Sequence, residues 1–200
     1  GADGVLRPGD VQWMTAGRGV LHSELPHGTE RAHTLQLWLN LPAAAKLTPA
    51  RYVDQPRASV PVRRAPGAEV RVYAGRSGEI VQRHGSHWPM MLLDIKVEQG
   101  HGFAAEIPGS YRAFLYLLDG AARIGAQSRL VRAPEVAWFE PAAPDDDDTI
   151  TIAAEAPCRA LLYGGPPIDE PVVAYGPFVM NSANEIRAAI ADYRAGRLTG

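Results

Sequence analysis

The sequence predicts a mainly β protein. Short apolar runs alternate with polar residues along most of the chain, and 20 glycines and 17 prolines interrupt them, a pattern that favours brief strands joined by turns. The clearest helical periodicity is confined to the C-terminus. Because the chain has 200 residues, 46% of them hydrophobic, it can form one large domain or two small ones.

Composition and charge narrow the possible functions. A formal net charge of -2 and a pI near 6.3 provide no basic surface, so we expect no direct nucleic-acid binding. No apolar run has the length needed to cross a membrane. The single cysteine, Cys158, has no partner for an internal disulfide, and we interpret it as a small buried residue. We therefore expect a cytoplasmic protein that is not bound to a membrane.

The first sixty residues contain three predicted strands. Residues 7–10 have the Pro-Gly centre of a type II turn, and a strand over Val11–Thr15 should follow it. Residues 20–25 and 33–41 are the next two predicted strands, and the second of these has leucine at every other position. Residues 43–61 contain several prolines and alanines, which predicts a connection with one short helical turn.

A second series of predicted strands begins near residue 70. Asp119-Gly120 stands between two apolar runs, which predicts a hairpin at that point. The acidic residues 145–148 lack the ligand spacing of a calcium loop, so we interpret them as a solvated loop. The predicted strands of this series cover residues 70–73, 79–81, 90–98, 114–118, 121–124, 149–152 and 160–163.

A faint internal repeat predicts two similar β units. Residues 8–14 and 134–139 share the order turn residue, acid, Val, any residue, Trp, apolar residue, although chance similarity over so few positions is an alternative. We expect β-barrels or sandwiches over residues 1–60 and 61–181. The first unit lacks the opening strands of the second, so it should need strands from upstream residues, the other domain or a neighbouring chain.

The C-terminus predicts a short helix over residues 182–197. Ser182 and Glu185 form a capping box at its start, and Gly196 is a suitable C-terminal cap. We expect its apolar stripe to pack against a sheet, and a partner-binding helix is the functional alternative. The stripe consists of Ile186, Ala189, Ile190 and Tyr193.

Two candidate metal ligands stand two residues apart in the predicted strand over residues 20–25. Side chains alternate between the faces of a strand, so His22 and Glu24 should lie side by side. An imidazole and a carboxylate can ligate the same divalent ion. The alternative is that both side chains belong to a solvated polar face.

Four stretches resemble the pirin family of the cupin superfamily. The longest is residues 8–24, and residues 35–42, 92–94 and 170–181 are similar to further parts of the family pattern. The resemblance covers nearly the whole chain. It implies a bicupin, in which two antiparallel β-barrels pack together and the C-terminal helix closes the assembly.

The resemblance also implies a metal site in the N-terminal barrel. Pirins hold a single metal, usually iron, with three histidines and one glutamate, and His22 and Glu24 match the second ligand pair of the family. The first pair, a His-x-His, occurs nowhere in this sequence, so the chain is either a fragment or has a decayed site, and we favour the fragment. We expect none of the other histidines to substitute: His27, His33, His84, His87 and His101.

Two functions follow from this resemblance. The first is a quercetin 2,3-dioxygenase-like oxidoreductase in which Fe(II) or another divalent metal binds a flavonol. His22 and Glu24 would be ligands, and Glu24 is also a candidate catalytic base for the flavonol hydroxyl. The second is a non-catalytic regulatory protein whose metal controls its affinity for a transcription factor or an enzyme. Turnover of a flavonol would distinguish the two.

Overall fold

The computed structural model describes residues 4–26, 28, 31–83, 86–140 and 147–198. Within these residues the fold is mainly β with one α-helix near the C-terminus, which confirms the predicted fold class. The chain divides into two compact units, which we call the N-terminal unit (Gly1–Asp54 with Ile168–Gly200) and the central unit (Gln55–Pro167). The domain limits expected from the sequence stay a prediction.

The elements are numbered in chain order. Two single turns of 3₁₀ helix, Ala43–Ala45 and Arg57–Ser59, flank the second strand. The helix α1 is Ala183–Arg194. The strands are β1 (Val11–Thr15), β2 (Arg51–Gln55), β3 (Val62–Ala65), β4 (Ala68–Ser77), β5 (Ile80–Gln82), β6 (Met91–Val97), β7 (Gly102–Pro108), β8 (Arg112–Asp119), β9 (Ala121–Ile124), β10 (Arg129–Arg132), β11 (Val136–Phe139), β12 (Asp147–Ala154), β13 (Cys158–Gly165), β14 (Val173–Tyr175) and β15 (Phe178–Met180).

The central unit consists of two antiparallel sheets around one apolar core. One sheet has the order β10-β9-β12-β7, and the other has the order β11-β8-β13-β6-β4-β3, with β5 paired to β4. Alternate residues of both sheets point inward, as the period of two in the sequence predicts. The largest fully buried side chains of this core are Leu93, Ile95, Leu115, Leu117, Ile152, Leu162, Val70 and Val72.

One charge is buried on the face of β6 that points away from this core. The side chain of Asp94 is only 3% exposed, and Arg159 on the neighbouring strand β13 donates two hydrogen bonds of 2.8 Å to its two carboxylate oxygens. Two parallel bonds of this kind are the strongest form of ion pair between side chains. The pair therefore compensates for the loss of hydration of Asp94.

The predicted hairpin at Asp119-Gly120 is wrong. Strand β8 pairs with β11 and β13, whereas β9 pairs with β10 and β12, so the two residues carry the chain from one sheet to the other. Gly120 has a positive φ of 77°, and a Cβ there would lie 2.1 Å from the carbonyl oxygen of Pro157. The turn residues were identified correctly, but they serve a tight crossover between sheets and not a hairpin.

The two predicted strands over residues 20–25 and 33–41 are also wrong. Both segments lie outside the strands of the described structure, and most of their side chains are exposed, including 63% of Trp38. Their sequences have the period of a strand, but a strand also needs backbone partners, and the described residues supply none to these segments. A strand that the sequence did not predict, β2, pairs instead with β1.

Two local predictions in the N-terminal unit are confirmed. The backbone N–H of Asp10 donates to the carbonyl of Arg7 at 2.9 Å, as expected of the type II turn. Ser182 is the N-cap of α1, and its hydroxyl oxygen accepts from the N–H of Glu185. Of the predicted stripe only Ile186 is buried, and Tyr193 is 51% exposed and lies edge-on to Phe178.

One further prediction concerns burial. Cys158 is buried, as expected, and burial raises the pKa of its thiol, which disfavours the reactive thiolate.

None of the helices in the described part of the chain could span a membrane.

The buried pair gives a first testable prediction. Arg159→Met should lower the free energy of unfolding by about 2 kcal/mol, because Asp94 loses its partner while Arg159 is partly exposed. Arg76→Met is the matched control, since Arg76 and Asp147 are both at least half exposed, and it should cost less than about 1 kcal/mol. Urea unfolding measures both. Equal losses would contradict a special role for the buried pair.

Candidate metal centre

The segment that contains His22 and Glu24 begins at a tight turn. The N–H of Gly19 donates to the carbonyl of Ala16 at 2.9 Å, and the N–H of Arg18 donates to the carbonyl of Thr48 at 3.0 Å. Gly17 has a φ of 53°, and a Cβ there would lie 2.0 Å from the Thr48 carbonyl oxygen. The Gly17-Arg18-Gly19 sequence is therefore required for the close approach of two backbone segments.

His22 and Glu24 lie side by side, as the sequence predicts, although their backbone is not a strand. Nδ1 of His22 is 3.7 Å from Oε1 of Glu24, and the two side chains are 39% and 58% exposed. The distance is shorter than twice a typical metal–ligand bond of about 2.1 Å, so one ion can contact both atoms. The donor chemistry of the pair, one imidazole nitrogen and one carboxylate oxygen, fits a divalent transition metal.

This pair is only part of a coordination shell. In the described residues no three side chains from His, Cys, Asp and Glu come close enough to hold a metal ion together. His33 is exposed, and the ring of His101 packs against Gly67 in the central unit. His27 and His84 lie outside the described residues. The role of His22 and Glu24 as ligands stays a prediction.

The central unit has a surface cleft of about 500 Å³ beside the start of β6. Its lining includes Arg76, His87, Trp88, Glu106 and Tyr111, and burial raises the pKa of Tyr111. The barrel interior next to it is filled by apolar side chains. The described part of this barrel therefore offers an aromatic cleft but no cluster of metal ligands.

A polar network around the buried Lys46 was missed by sequence reasoning. Lys46 is only 6% exposed, and its ammonium group donates to Oδ1 of Asn40 at 2.6 Å. Burial lowers the pKa of Lys46, although the carboxylates of Glu170 and Glu185 oppose the shift. The one available signal was a lysine inside the apolar run of residues 43–47, in a sequence with only two lysines.

Comparison with known proteins agrees with this fold. The model of the pirin C-terminal cupin domain matches residues 92–199, and the pirin model matches residues 1–39. A solved quercetin 2,3-dioxygenase of Acinetobacter baumannii superposes with a TM-score of 0.81 at 27% identity, over 96% of this chain and 68% of that chain. A protein of Geobacillus kaustophilus gives a TM-score of 0.81 at 39% identity, over 84% and 67% of the two chains. The fold thus defines a protein of the cupin class.

The curated relatives identify the family within this class. A putative quercetin 2,3-dioxygenase of Pseudomonas aeruginosa is 39% identical over 99% of this chain and 70% of its own length. The pirin-like protein of Solanum lycopersicum is 36% identical, over 98% and 67%. Human pirin is 35% identical, over 97% and 67%. The chain belongs to the pirin family and spans about two thirds of the length of these relatives.

The turn at Gly17 gives a second testable prediction. Gly17→Ala should destabilise the protein by about 3 kcal/mol, because the Cβ both requires a left-handed backbone and collides with the Thr48 carbonyl. Gly176→Ala is the matched control, since Gly176 has nearly the same φ, 55°, but open space around its Cβ. It should cost only about 1 kcal/mol. Denaturant unfolding compares the two, and equal costs would show that the approach to Thr48 is unimportant.

Proposed function

We propose that this chain is the metal-binding part of a pirin-type oxidoreductase that oxidises a flavonol with O₂, as a quercetin 2,3-dioxygenase does. The observation that carries the proposal is the 3.7 Å separation of His22 Nδ1 and Glu24 Oε1. Support comes from relatives at 36 to 40% identity that are named putative quercetin 2,3-dioxygenases. The single unpaired cysteine supports a cytoplasmic location.

His22 and Glu24 would hold Fe(II) or a related divalent ion. Such an ion, when bound, supplies a Lewis acid for the flavonol oxygens and redox chemistry toward O₂. The pair provides two donor atoms, and the remaining positions would be filled by water, by the substrate or by residues outside the described part of the chain. Because the chain spans about two thirds of its relatives, the proposed activity is that of the whole protein.

Glu24 has a second proposed role as a base. One carboxylate oxygen, Oε1, faces the imidazole of His22, which leaves Oε2 to accept a proton from the flavonol hydroxyl. With 58% of its side chain exposed, Glu24 can be reached by a bulky aromatic substrate. Deprotonation raises the electron density of the flavonol ring and makes it more reactive toward O₂.

The alternative is a regulatory pirin whose metal controls the binding of a protein partner. It is favoured by relatives at 35 to 36% identity that are named simply pirin. The same two ligands would serve this function without a substrate. Metal binding therefore tests both functions, and turnover separates them.

Metal binding gives the third testable prediction. The protein, purified without a His tag and exposed to Fe(II) under nitrogen, should retain iron through His22 and Glu24. His22→Ala and Glu24→Ala should each weaken retention at least about tenfold, because either change removes one of the two donors of this pair. His33→Ala is the control, since His33 is an exposed histidine of the same unit. Elemental analysis after gel filtration gives the metal content.

The outcomes separate the hypotheses. Iron-dependent loss of quercetin with matching O₂ uptake supports the oxidoreductase, whereas metal binding without turnover supports the regulatory protein. If iron retention is the same in the His22→Ala and His33→Ala proteins, the proposed ligand pair is wrong.

A further inference from the structure

A polar network around the buried Lys46 joins three separate segments of the N-terminal unit. We call it the Lys46 network, and its first contact is the 2.6 Å hydrogen bond from Nζ of Lys46 to Asn40. The second contact is made by the carboxylate of Glu170, whose Oε2 accepts from the backbone N–H of Ala43 at 2.6 Å. The same oxygen accepts from the side-chain amide of Asn181 at 3.0 Å.

The network reaches the start of the C-terminal helix. The backbone N–H of Asn181 donates to Oε2 of Glu185, and the hydroxyl of Ser182 donates to the same oxygen at 2.8 Å. Glu185 therefore caps α1, and its negative charge, like that of Glu170, favours the charged form of Lys46. Residues 40–46 are in this way tied to residues 170–185, more than 120 positions later in the chain.

Stability alone gives little reason for this arrangement. Burying an ammonium group costs free energy, and well-packed apolar residues often serve equally well or better in the same place. Burial lowers the pKa of Lys46, and the charges of Glu170 and Glu185 oppose this shift. A buried charged side chain with a fixed hydrogen-bond partner can, however, hold its own backbone segment in one defined position.

That backbone supports the metal-binding segment. The N–H of Lys46 donates to the carbonyl of Ala43, and the N–H of Thr48 donates to that of Ala45, so residues 42–48 form consecutive tight turns. The carbonyl of Thr48 then accepts from the N–H of Arg18. Lys46 therefore lies two residues before this carbonyl, within the same run of turns.

The other side of the same turn is supported by the C-terminal tail. A Cβ on Gly19 would lie 2.9 Å from the side chain of Leu198, four residues after the end of α1. The turn over residues 17–19 is thus held between Thr48 on one side and Leu198 on the other. Beyond this turn the chain to Glu24 has no strand partner in the described structure.

We propose that the Lys46 network is the positioning element of the metal-binding segment, residues 17–24. Lys46, Asn40 and Glu170 have their hydrogen bonds elsewhere than to His22 or Glu24, and they act through the carbonyl of Thr48. The inference rests on the proposed function, because a segment needs precise placement only if it binds something. The part of the inference that does not depend on a metal is that the network holds the turn over residues 17–19.

The first test measures this turn without metal. Lys46→Met keeps the length of the side chain but removes its charge and its donors, and it should speed hydrogen exchange of the Arg18 amide at least about tenfold. Exchange of amides in β6 and β13 of the central unit should stay unchanged. Lys96→Met is the matched control, because Lys96 is the other lysine of the chain and is exposed on β6.

The second test measures metal affinity with Co(II), which resists oxidation and accepts nitrogen and oxygen ligands. Lys46→Met should weaken Co(II) binding about tenfold, which is a typical effect of changing residues that orient the metal ligands without binding the metal themselves. Lys96→Met should leave the affinity unchanged. Asn40→Ala should act like Lys46→Met, whereas Asn40→Asp, which keeps an oxygen acceptor for Lys46, should restore both exchange protection and affinity.

The two tests fail in different ways. If the unmodified protein binds no Co(II), the proposed function is contradicted for this chain, and hydrogen exchange alone decides the positioning role. Unchanged Arg18 exchange in Lys46→Met overturns the proposal, whatever the metal result. If Lys46→Met does not fold, the comparison of Asn40→Ala with Asn40→Asp decides, and equal exchange rates in these two proteins would also overturn it.

Discussion

Pairing of backbone groups between strands determines most of this structure. In the central unit every long apolar run finds neighbours on a sheet, and the two sheets enclose one continuous core. In the N-terminal unit the same kind of sequence over residues 33–41 has no strand partner among the described residues, and most of its side chains are exposed. Sequences of equal strand character therefore differ in structure because of the partners available to them.

This difference has a direct consequence for the metal-binding segment. Residues that ligate a metal are usually held by rigid elements, since misplaced ligands lower the affinity. His22 and Glu24 lie on backbone that belongs to no strand, and their segment is fixed chiefly at the turn over residues 17–19. We propose that the Thr48 carbonyl and the Lys46 network fix the position of this segment, which is the role that neighbouring strands have in a closed barrel.

Sequence reasoning recovered what local chemistry determines. The mainly β class, the turn at residues 7–10, the cap at Ser182 and the proximity of His22 to Glu24 all follow from a few neighbouring residues. It failed where contacts between distant segments determine the local structure. Gly120 is one case, because it lies against Pro157 and forms a crossover between sheets where the sequence predicts a hairpin. Lys46 was missed for the same reason, because Glu170, which accepts from the N–H of Ala43 in the same turn, lies more than 120 residues further along the chain.

The central claim is that His22 and Glu24 bind one divalent ion together. Nuclear magnetic resonance of the protein with ¹⁵N-labelled histidine, titrated with Co(II), tests it most directly because each of the six imidazoles reports separately. The account predicts that the ring nitrogens of His22 shift first and that Glu24→Ala moves this response to at least about tenfold higher Co(II). A first response at another histidine, or no dependence on Glu24, would contradict it.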